Sequence, residues 1–490
     1  MRMSAIVMTM LMFLGLCGCA APKNDTPPDS SDQGSQKVAE LVSEPISLSL
    51  AGSGTEDIAL NGEIGQKNYL KIRYSSGIGT KVTMKYCDSS SPQRSTSEVF
   101  YLENAKNGEF TLYIGQEEKE KNMQMTDRTV LGFTVENLQE ENGRFQMSSC
   151  TFTEKELPSG FRYLENENLK FGINLSWGGG ICFLSYRKED VKQVEVNGEV
   201  QVGIDYDKLP GAEVVYEDDV NLLNHHDVGR LVQQSYYGSI LPPYEPGEYL
   251  GNIVAYNPVQ GGDTGENESK IVDYKEEDGT IYVKCQPRDW APCKISPSYM
   301  ENWYTLENDY VKVKNRFVDF SNYIPQTRDQ ELPAIYAARS FERWVVYEGD
   351  QPFTGGDLHD YIAGEGAENK ITSSMLTENW VALLNADDFG IGVYVPDMSS
   401  GIATNFGAKA AETDPESPYY KQEASLLNST SYATMIRQVA FRSLDPLEYE
   451  YFLTAGNIKE MRSCFYALHE AGANNQKLLE YIEEGMKKGI

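Results

Sequence analysis

The stretch from Leu169 to Tyr186, L-K-F-G-I-N-L-S-W-G-G-G-I-C-F-L-S-Y, decides the fold class. Two apolar runs of strand length, Leu169 to Leu175 and Ile181 to Tyr186, flank Trp177-Gly178-Gly179-Gly180. Short apolar runs bounded by glycine, without helical periodicity, predict adjacent β-strands joined by a tight turn. The same grammar extends in both directions. Upstream, Ile46 to Leu50, Tyr69 to Tyr74, Lys81 to Tyr86, Phe110 to Ile114 and Thr129 to Val135 are short strands with turn residues between them. Several alternate apolar and polar, as half-buried antiparallel strands do. Downstream, strands are expected at Thr280 to Lys284, Tyr304 to Leu306, Val311 to Phe317, Ala334 to Ala338, Trp380 to Leu384 and Gly390 to Val395. The fold class is therefore all-β. An N-terminal sandwich is expected over residues 44–157, a boundary at Pro158-Ser159-Gly160, and a large antiparallel sandwich over residues 160–455.

Residues 456–490 change character. Asn457 followed three residues later by Glu460 is a capping-box start. Met461, Phe465 and Leu468 then share one helical face, and Leu478, Leu479, Ile482 and Met486 predict a second short helix.

The N-terminal residues predict export. Arg2 is a short positive region, and Ile6 to Leu16 is apolar but too short to span a bilayer. Leu16-Cys17-Gly18-Cys19 resembles a bacterial lipobox. That resemblance implies a signal peptide over residues 1–19, cleavage before Cys19 and a diacylglycerol anchor on its thiol. An ordinary signal peptide is the alternative. Residues 20–43, rich in Pro, Ser and Asp at the start, are expected to be a flexible tether. The expected location is the bacterial cell membrane or surface, reached through the lipid.

The chain has 490 residues and a formal net charge of −30, which disfavours a nucleic-acid partner. Its 31 Tyr suit a β protein that stacks on sugars, though Tyr is also a common strand residue. Cys87 with Cys150, and Cys285 with Cys293, could pair; equally, all could be small buried hydrophobes.

Asn224 to Tyr237, N-H-H-D-V-G-R-L-V-Q-Q-S-Y-Y, concentrates the chemistry. It holds two of the four His, with a carboxylate, a guanidinium, two carboxamides and two phenols. Planar hydrogen-bonding groups beside aromatic faces suit a ring carrying hydroxyls. Asp227 and Arg230 either pair to fix the loop or work separately on a substrate. If a strand starts at Leu231-Val232, Gln233 and Ser235 share one face, and Gln234 and Tyr236 the other. A second cluster, Asn257-Pro-Val-Gln-Gly-Gly-Asp263, places Asn257, Gln260 and Asp263 at a sharp turn. Glu331 precedes the apolar run Ala334 to Ala338, where burial would raise its pKa toward acid–base work. Trp290, Tyr299, Trp303 and Trp344 are candidate stacking platforms, and Trp380 is expected in the core. Asp357, His359 and Asp360, whose D-x-H-D spacing could bind a metal, are expected on a solvated loop.

The strand–Gly-Gly–strand unit from Ile173 to Leu184, followed by Asn224-His-His-Asp-Val-Gly-Arg-Leu-Val-Gln-Gln, resembles the galactose-mutarotase-like superfamily of β-supersandwiches. The resemblance implies a supersandwich over residues 160–455 and a carbohydrate ligand. It also implies that His225 or His226, with Glu331, occupies the positions of the epimerase acid and base. The sequence around both differs from the epimerase pattern, so mutarotation is not carried over. The N-terminal strand order resembles small jelly-roll carbohydrate modules; a spacer sandwich is the alternative.

The expectation is a lipid-anchored protein that binds a polysaccharide or oligosaccharide and hydrolyses a glycosidic bond. Glu331 is the acid or base, Asp227 or Asp263 its partner, and His226 a further catalytic candidate. His225, Arg230, Gln233, Tyr236, Tyr237, Asn257, Gln260, Asp263 and Trp290 are the expected substrate contacts. A uronate lyase is the rival enzyme, with Arg230 neutralising the carboxylate, His226 taking the proton and Tyr236 protonating the leaving oxygen. Glycan binding without catalysis is a different class, and a purely structural envelope protein a further one. No cofactor is expected; calcium is the one ion the oxygen-rich turn at Asn257 to Asp263 would suit.

Overall fold

The computed structural model describes residues 38–490 apart from 124, 189–190, 197–198, 203–212, 217–218, 225–226, 363, 365–369 and 407–429. The expected cleavage site before Cys19, the expected leader, most of the expected tether, and both His225 and His226 lie outside the described residues.

The N-terminal sandwich consists of a five-stranded and a four-stranded antiparallel sheet. Its first strand, Ala39–Val42, begins before the expected boundary at residue 44, because Val42 packs into the sandwich core. Ile46–Leu50 matches the expected strand in both limits. Alternation does the work here. Tyr69–Ser76 sends Leu70 and Ile72 inward, and Thr80–Asp88 does the same with Val82 and Met84. Each such fully buried side chain contributes roughly 1.5–3 kcal/mol.

The larger region is built on two extended sheets. One has nine strands and includes Lys270–Glu277, Ser298–Leu306, Val311–Asp319, Leu447–Asn457 and Trp380–Leu384. The other has eight and includes Gln233–Ser235, Pro258–Val259, Arg288–Asp289, Arg328–Ala338, Thr430–Val439 and Gly401–Phe406. A shared core between them joins Val283, Met300 and Phe317 of the nine-stranded sheet to Tyr236, Leu332 and Ile335 of the eight-stranded one.

The nine-stranded sheet is covered on its other face as well. Val272, Tyr299, Val318 and Phe320 belong to the N-terminal core, and the Tyr299 hydroxyl accepts from the Tyr101 backbone N–H at 2.8 Å. Residues 157–160 are thus a chain connection rather than a packing boundary: residues 38–490 form one compact unit. Further along the same face, helix Ile458–Glu470 lays Met461, Phe465 and Leu468 on Trp380 and Tyr394. Burial on both faces explains why Trp380–Leu384 is buried at every position instead of alternating. The helix starts with the expected capping box, Asn457 accepting from Glu460 N and Glu460 returning a bond to Asn457 N. The outer face of the eight-stranded sheet is where a cavity opens.

All six described cysteines are free. Cys87, Cys150, Cys182 and Cys285 are buried, so neither expected pair forms and they act as small hydrophobes. Burial pushes the thiols of Cys150 and Cys182 up to about 12, out of reach of ordinary thiolate chemistry. No helix among the described residues is long and apolar enough to cross a membrane.

Candidate functional site

The cavity has a volume of about 450 Å³. It is built where the central strands of the eight-stranded sheet meet three loops. Gln233 and Ser235 line it from strand Gln233–Ser235 and Tyr237 from just past its end, while Gln234 and Tyr236 are buried on the core side. The expected alternation holds, and it removes Tyr236 from the substrate contacts. Its ring is fully buried, and its hydroxyl donates to Gln234 Oε1 at 2.7 Å. A lyase role for Tyr236 as proton donor therefore has no access to substrate. The core-facing Gln234 is itself held, donating to Asn302 Oδ1 at 2.7 Å.

Glu331 lies within strand Arg328–Ala338, not ahead of it. The ladder to Thr430–Val439 shifts register between Glu331 and Ala334. This bulge changes the parity, so Glu331, Ala334 and Tyr336 all line the cavity. Simple alternation would have opposed Glu331 to the other two. Tyr237 donates its hydroxyl to Glu331 Oε1 at 3.1 Å, and Tyr432 donates to the same oxygen at 2.6 Å. Burial raises the pKa of Glu331; the hydroxyls of Tyr432, Tyr237 and Ser235 oppose the rise without cancelling it. Tyr237 is positioned by Gln330, whose amide accepts from Tyr237 N at 2.7 Å and donates to Tyr237 O at 2.7 Å. That pair of bonds continues the sheet ladder past Ser235 with a side chain.

Asp227 and Arg230 form the ion pair that the sequence allowed, Nε to Oδ2 at 3.3 Å, with both side chains partly exposed on the cavity wall. Asp227 Oδ1 also accepts from Gly229 N at 2.9 Å, closing the turn. Gly229 has a steric duty too. A Cβ there would stand 2.7 Å from the Trp290 ring. Trp290 lines the cavity, with Tyr249 edge-on to it at 5.9 Å.

Several expected contacts are spent on holding loops. Gln233 accepts from Gly261 N at 2.8 Å and donates to the carbonyls of Gly229 and Val228 at 3.0 and 3.2 Å. Its amide borders the cavity but ties two of its loops together. Asn257 donates to Tyr236 O at 2.7 Å and takes its backbone restraint from Asp289 Oδ1 at 2.9 Å. Asp263 is enclosed, its Oδ1 accepting from Gly265 N and Asn267 Nδ2 at 2.9 and 2.8 Å. Its position as a loop former leaves Asp227 as the more accessible partner for Glu331. Gln260 does not reach the cavity at all. It is fully buried and donates to Gly178 O at 3.0 Å. Gly178, in the turn of the Trp177-Gly-Gly-Gly run, has φ +59, and a Cβ there would meet Gln260 O at 2.1 Å. The stretch that decided the fold thus also braces the second loop of the site.

Trp290 is the one stacking candidate that lines the cavity. Tyr299 and Trp344 are buried, and Trp303 packs on Tyr282 at 5.1 Å with Lys314 over its ring at 5.0 Å. His359 and Asp360 sit on strand His359–Ile362 rather than on a loop, engaged by Glu348 and Arg343. Tyr249, Leu250, Glu266, Tyr336 and Phe406 line the cavity without having been expected there. Tyr432 carried no local signal, since only strand pairing brings it to Glu331. No group of three or more His, Cys, Asp or Glu among the described residues is arranged to hold a metal ion.

No family model matches the chain, and no curated protein matches it. Solved structures do. A putative aldose 1-epimerase from Escherichia coli K12 aligns at 11% identity and TM-score 0.35, covering 61% of this chain and 99% of that one. A galactose mutarotase-like protein from Lactobacillus casei aligns at 11% identity and TM-score 0.34, covering 60% and 100%. A 4-alpha-glucanotransferase from Thermococcus litoralis aligns at 14% identity and TM-score 0.31, covering 60% of this chain and 37% of that one, so this chain spans little more than a third of its length. At these scores nothing about activity follows from the likeness.

Proposed function

We propose that the cavity binds a glycan and that Glu331 is the acid–base group that cleaves a glycosidic bond there. The observation that supports this reading is the setting of Glu331. It is a carboxyl with a burial-raised pKa, facing a cavity of about 450 Å³ that also presents the Trp290 ring and the Asp227–Arg230 pair. A general acid works best when its pKa lies near the operating pH, and desolvation is the means of bringing a carboxyl there. Both phenols donate to Oε1, so in the protonated carboxyl the proton that passes to the glycosidic oxygen is assigned to Oε2. Asp227, held by Gly229 N and Arg230, is the partner carboxylate that activates the attacking water. Arg230 holds substrate hydroxyls, and the ring of Trp290 supplies a stacking face. Export and a lipid anchor on Cys19 belong to the same proposal, carried by the run Leu16-Cys17-Gly18-Cys19.

The test is incubation of the purified protein with an array of plant and host glycans. New reducing ends, retention on each glycan and ultraviolet absorbance of unsaturated uronates are followed in parallel. New reducing ends that disappear in Glu331→Gln are expected. Absorbance would replace the hydrolase with a lyase, retention without product would make this a binding protein, and no retention on any glycan would end the reading. Loss of radiolabelled palmitate incorporation in Cys19→Ser is the expected result for the anchor.

A further inference from the structure

Strands Gly247–Tyr249 and Asn252–Val254 form a two-stranded hairpin that belongs to neither large sheet. Its base is fixed at the cavity wall: a Cβ on Gly247 would stand 2.6 Å from Pro292 N, and Tyr249 packs edge-on to Trp290. Its tip is unusual. Leu250 and Gly251 are both left-handed, with φ +50 and +79, the backbone of a tight primed turn. Asn, Asp or Gly adopts that conformation readily, whereas a leucine there carries a steric cost. Leu250 gains nothing in return from the fold, because it is 82% exposed. Yet Leu250 lines the same cavity as Glu331 and Arg230. A single exposed leucine on a protein surface needs no explanation. A leucine held in a disfavoured conformation, on a separate hairpin, at the mouth of the candidate active site, has one in ligand contact.

The chemistry of that contact follows from the side chain. Sugar rings seek an aromatic face or hydrogen-bonding groups, and Trp290 and Tyr249 offer those in the same cavity. The Leu250 isobutyl group offers neither, and suits an apolar group that leaves water. We propose that the hairpin tip is the subsite for an apolar aglycone: the substrate is a glycoside whose sugar enters the cavity and whose alkyl or aryl group lies on Leu250. The inference rests on the glycan reading above. Ile253, on the same hairpin and 74% exposed, pairs with Glu248 rather than Tyr249. Its side chain therefore faces away from Trp290 and serves as a control.

The experiment is calorimetric titration of the purified protein with octyl and methyl glycosides of glucose, galactose, mannose and N-acetylglucosamine, below the micelle concentration. At least one sugar is expected to bind about tenfold more tightly as its octyl glycoside, the gain from burying one aliphatic side chain. Leu250→Gly is expected to erase that preference while keeping the methyl glycoside affinity. Glycine relieves the left-handed strain, so a Tm equal to or above that of the parent is expected. Ile253→Ser is expected to keep the preference. Equal affinity within every pair, or loss of the preference in Ile253→Ser as well, overturns the subsite and leaves the glycan reading intact. No binding of any of these glycosides overturns it too; only an empty glycan array would also remove the reading beneath it. If light scattering shows a dimer that Leu250→Gly splits, with no octyl preference, the tip is a self-association contact and the inference fails.

Discussion

The phenol of Tyr432 donates to Glu331 Oε1 at 2.6 Å across 101 positions of sequence. Strand pairing alone makes this contact, since Glu331 is in register with Ile436 and Tyr336 with Tyr432 on adjacent strands. The bond opposes the pKa rise that burial imposes on the carboxyl. Tyr432→Phe is therefore expected to move the alkaline limb of the pH–activity profile, where the general acid loses its proton, to higher pH, with Tyr237→Phe acting in the same direction.

Glu331 also makes stability depend on pH in a direction opposite to that of most carboxylates. Its folded pKa is raised above the unfolded value of about 4.3. The protonated form is thus the one folding favours. Its contribution is complete below the unfolded pKa and is lost as pH rises through the folded one. Urea unfolding of the parent and Glu331→Gln across this range should show a steeper downward slope in the parent than in the variant.

Asp289 is a second such group. Burial pushes its carboxyl up to about 6, against an ordinary 3.8, despite bonds from Asn257 N and the Tyr244 hydroxyl. Stability is expected to fall by on the order of 3 kcal/mol between pH 3.8 and about 6 from this residue. Asp289→Asn, which keeps an acceptor for Asn257 N, should flatten that segment of the curve and match or exceed the parent at neutral pH. The two carboxyls are separable in the double variant, because Asp289 does not touch Glu331.

Gly229→Ala places a methyl group 2.7 Å from the Trp290 ring. The ring must shift, at a cost of about 1–3 kcal/mol if the loop resists. A change in tryptophan emission together with weakened glycan retention is expected. Retention unchanged despite a moved ring would show that Trp290 does not meet the ligand.

Glu378 is fully buried and receives Phe353 N, Trp380 Nε1 and the Tyr466 hydroxyl, each at 2.8 Å, and Arg462 Nη2 at 3.0 Å. Arg462→Ala leaves this carboxylate without its cation, and a loss of about 3–5 kcal/mol is expected in urea unfolding. Neither residue lines the cavity. Glycan retention at low temperature should therefore survive, which separates this scaffold role from a site role.

Much of this was legible along the chain. The strands at Ile46–Leu50 and Trp380–Leu384, the capping box at Asn457 and Glu460, and the two-sided strand after Val232 all rest on local chemistry: alternation, apolar runs and a side chain bonding its own backbone. Asp227, Arg230, Trp290 and Glu331 were singled out because their functional groups stand out in composition, and they do line one cavity. Gln260 and Tyr236 stand out equally and do not. A carboxamide or phenol advertises hydrogen bonding, but not whether a ligand or another part of the chain receives it.

Strand periodicity and turn chemistry act over a few residues, so the class of structure and the inventory of reactive groups could be read along the chain. Which groups meet was decided by tertiary structure. The bulge after Glu331 reversed the parity of its strand, Tyr432 arrived from a neighbouring strand, and the N-terminal sandwich with helix Ile458–Glu470 covered one sheet and left the outer face of the other for the cavity. These are consequences of burying two sheet faces at once, a condition on the whole chain that no window of it contains.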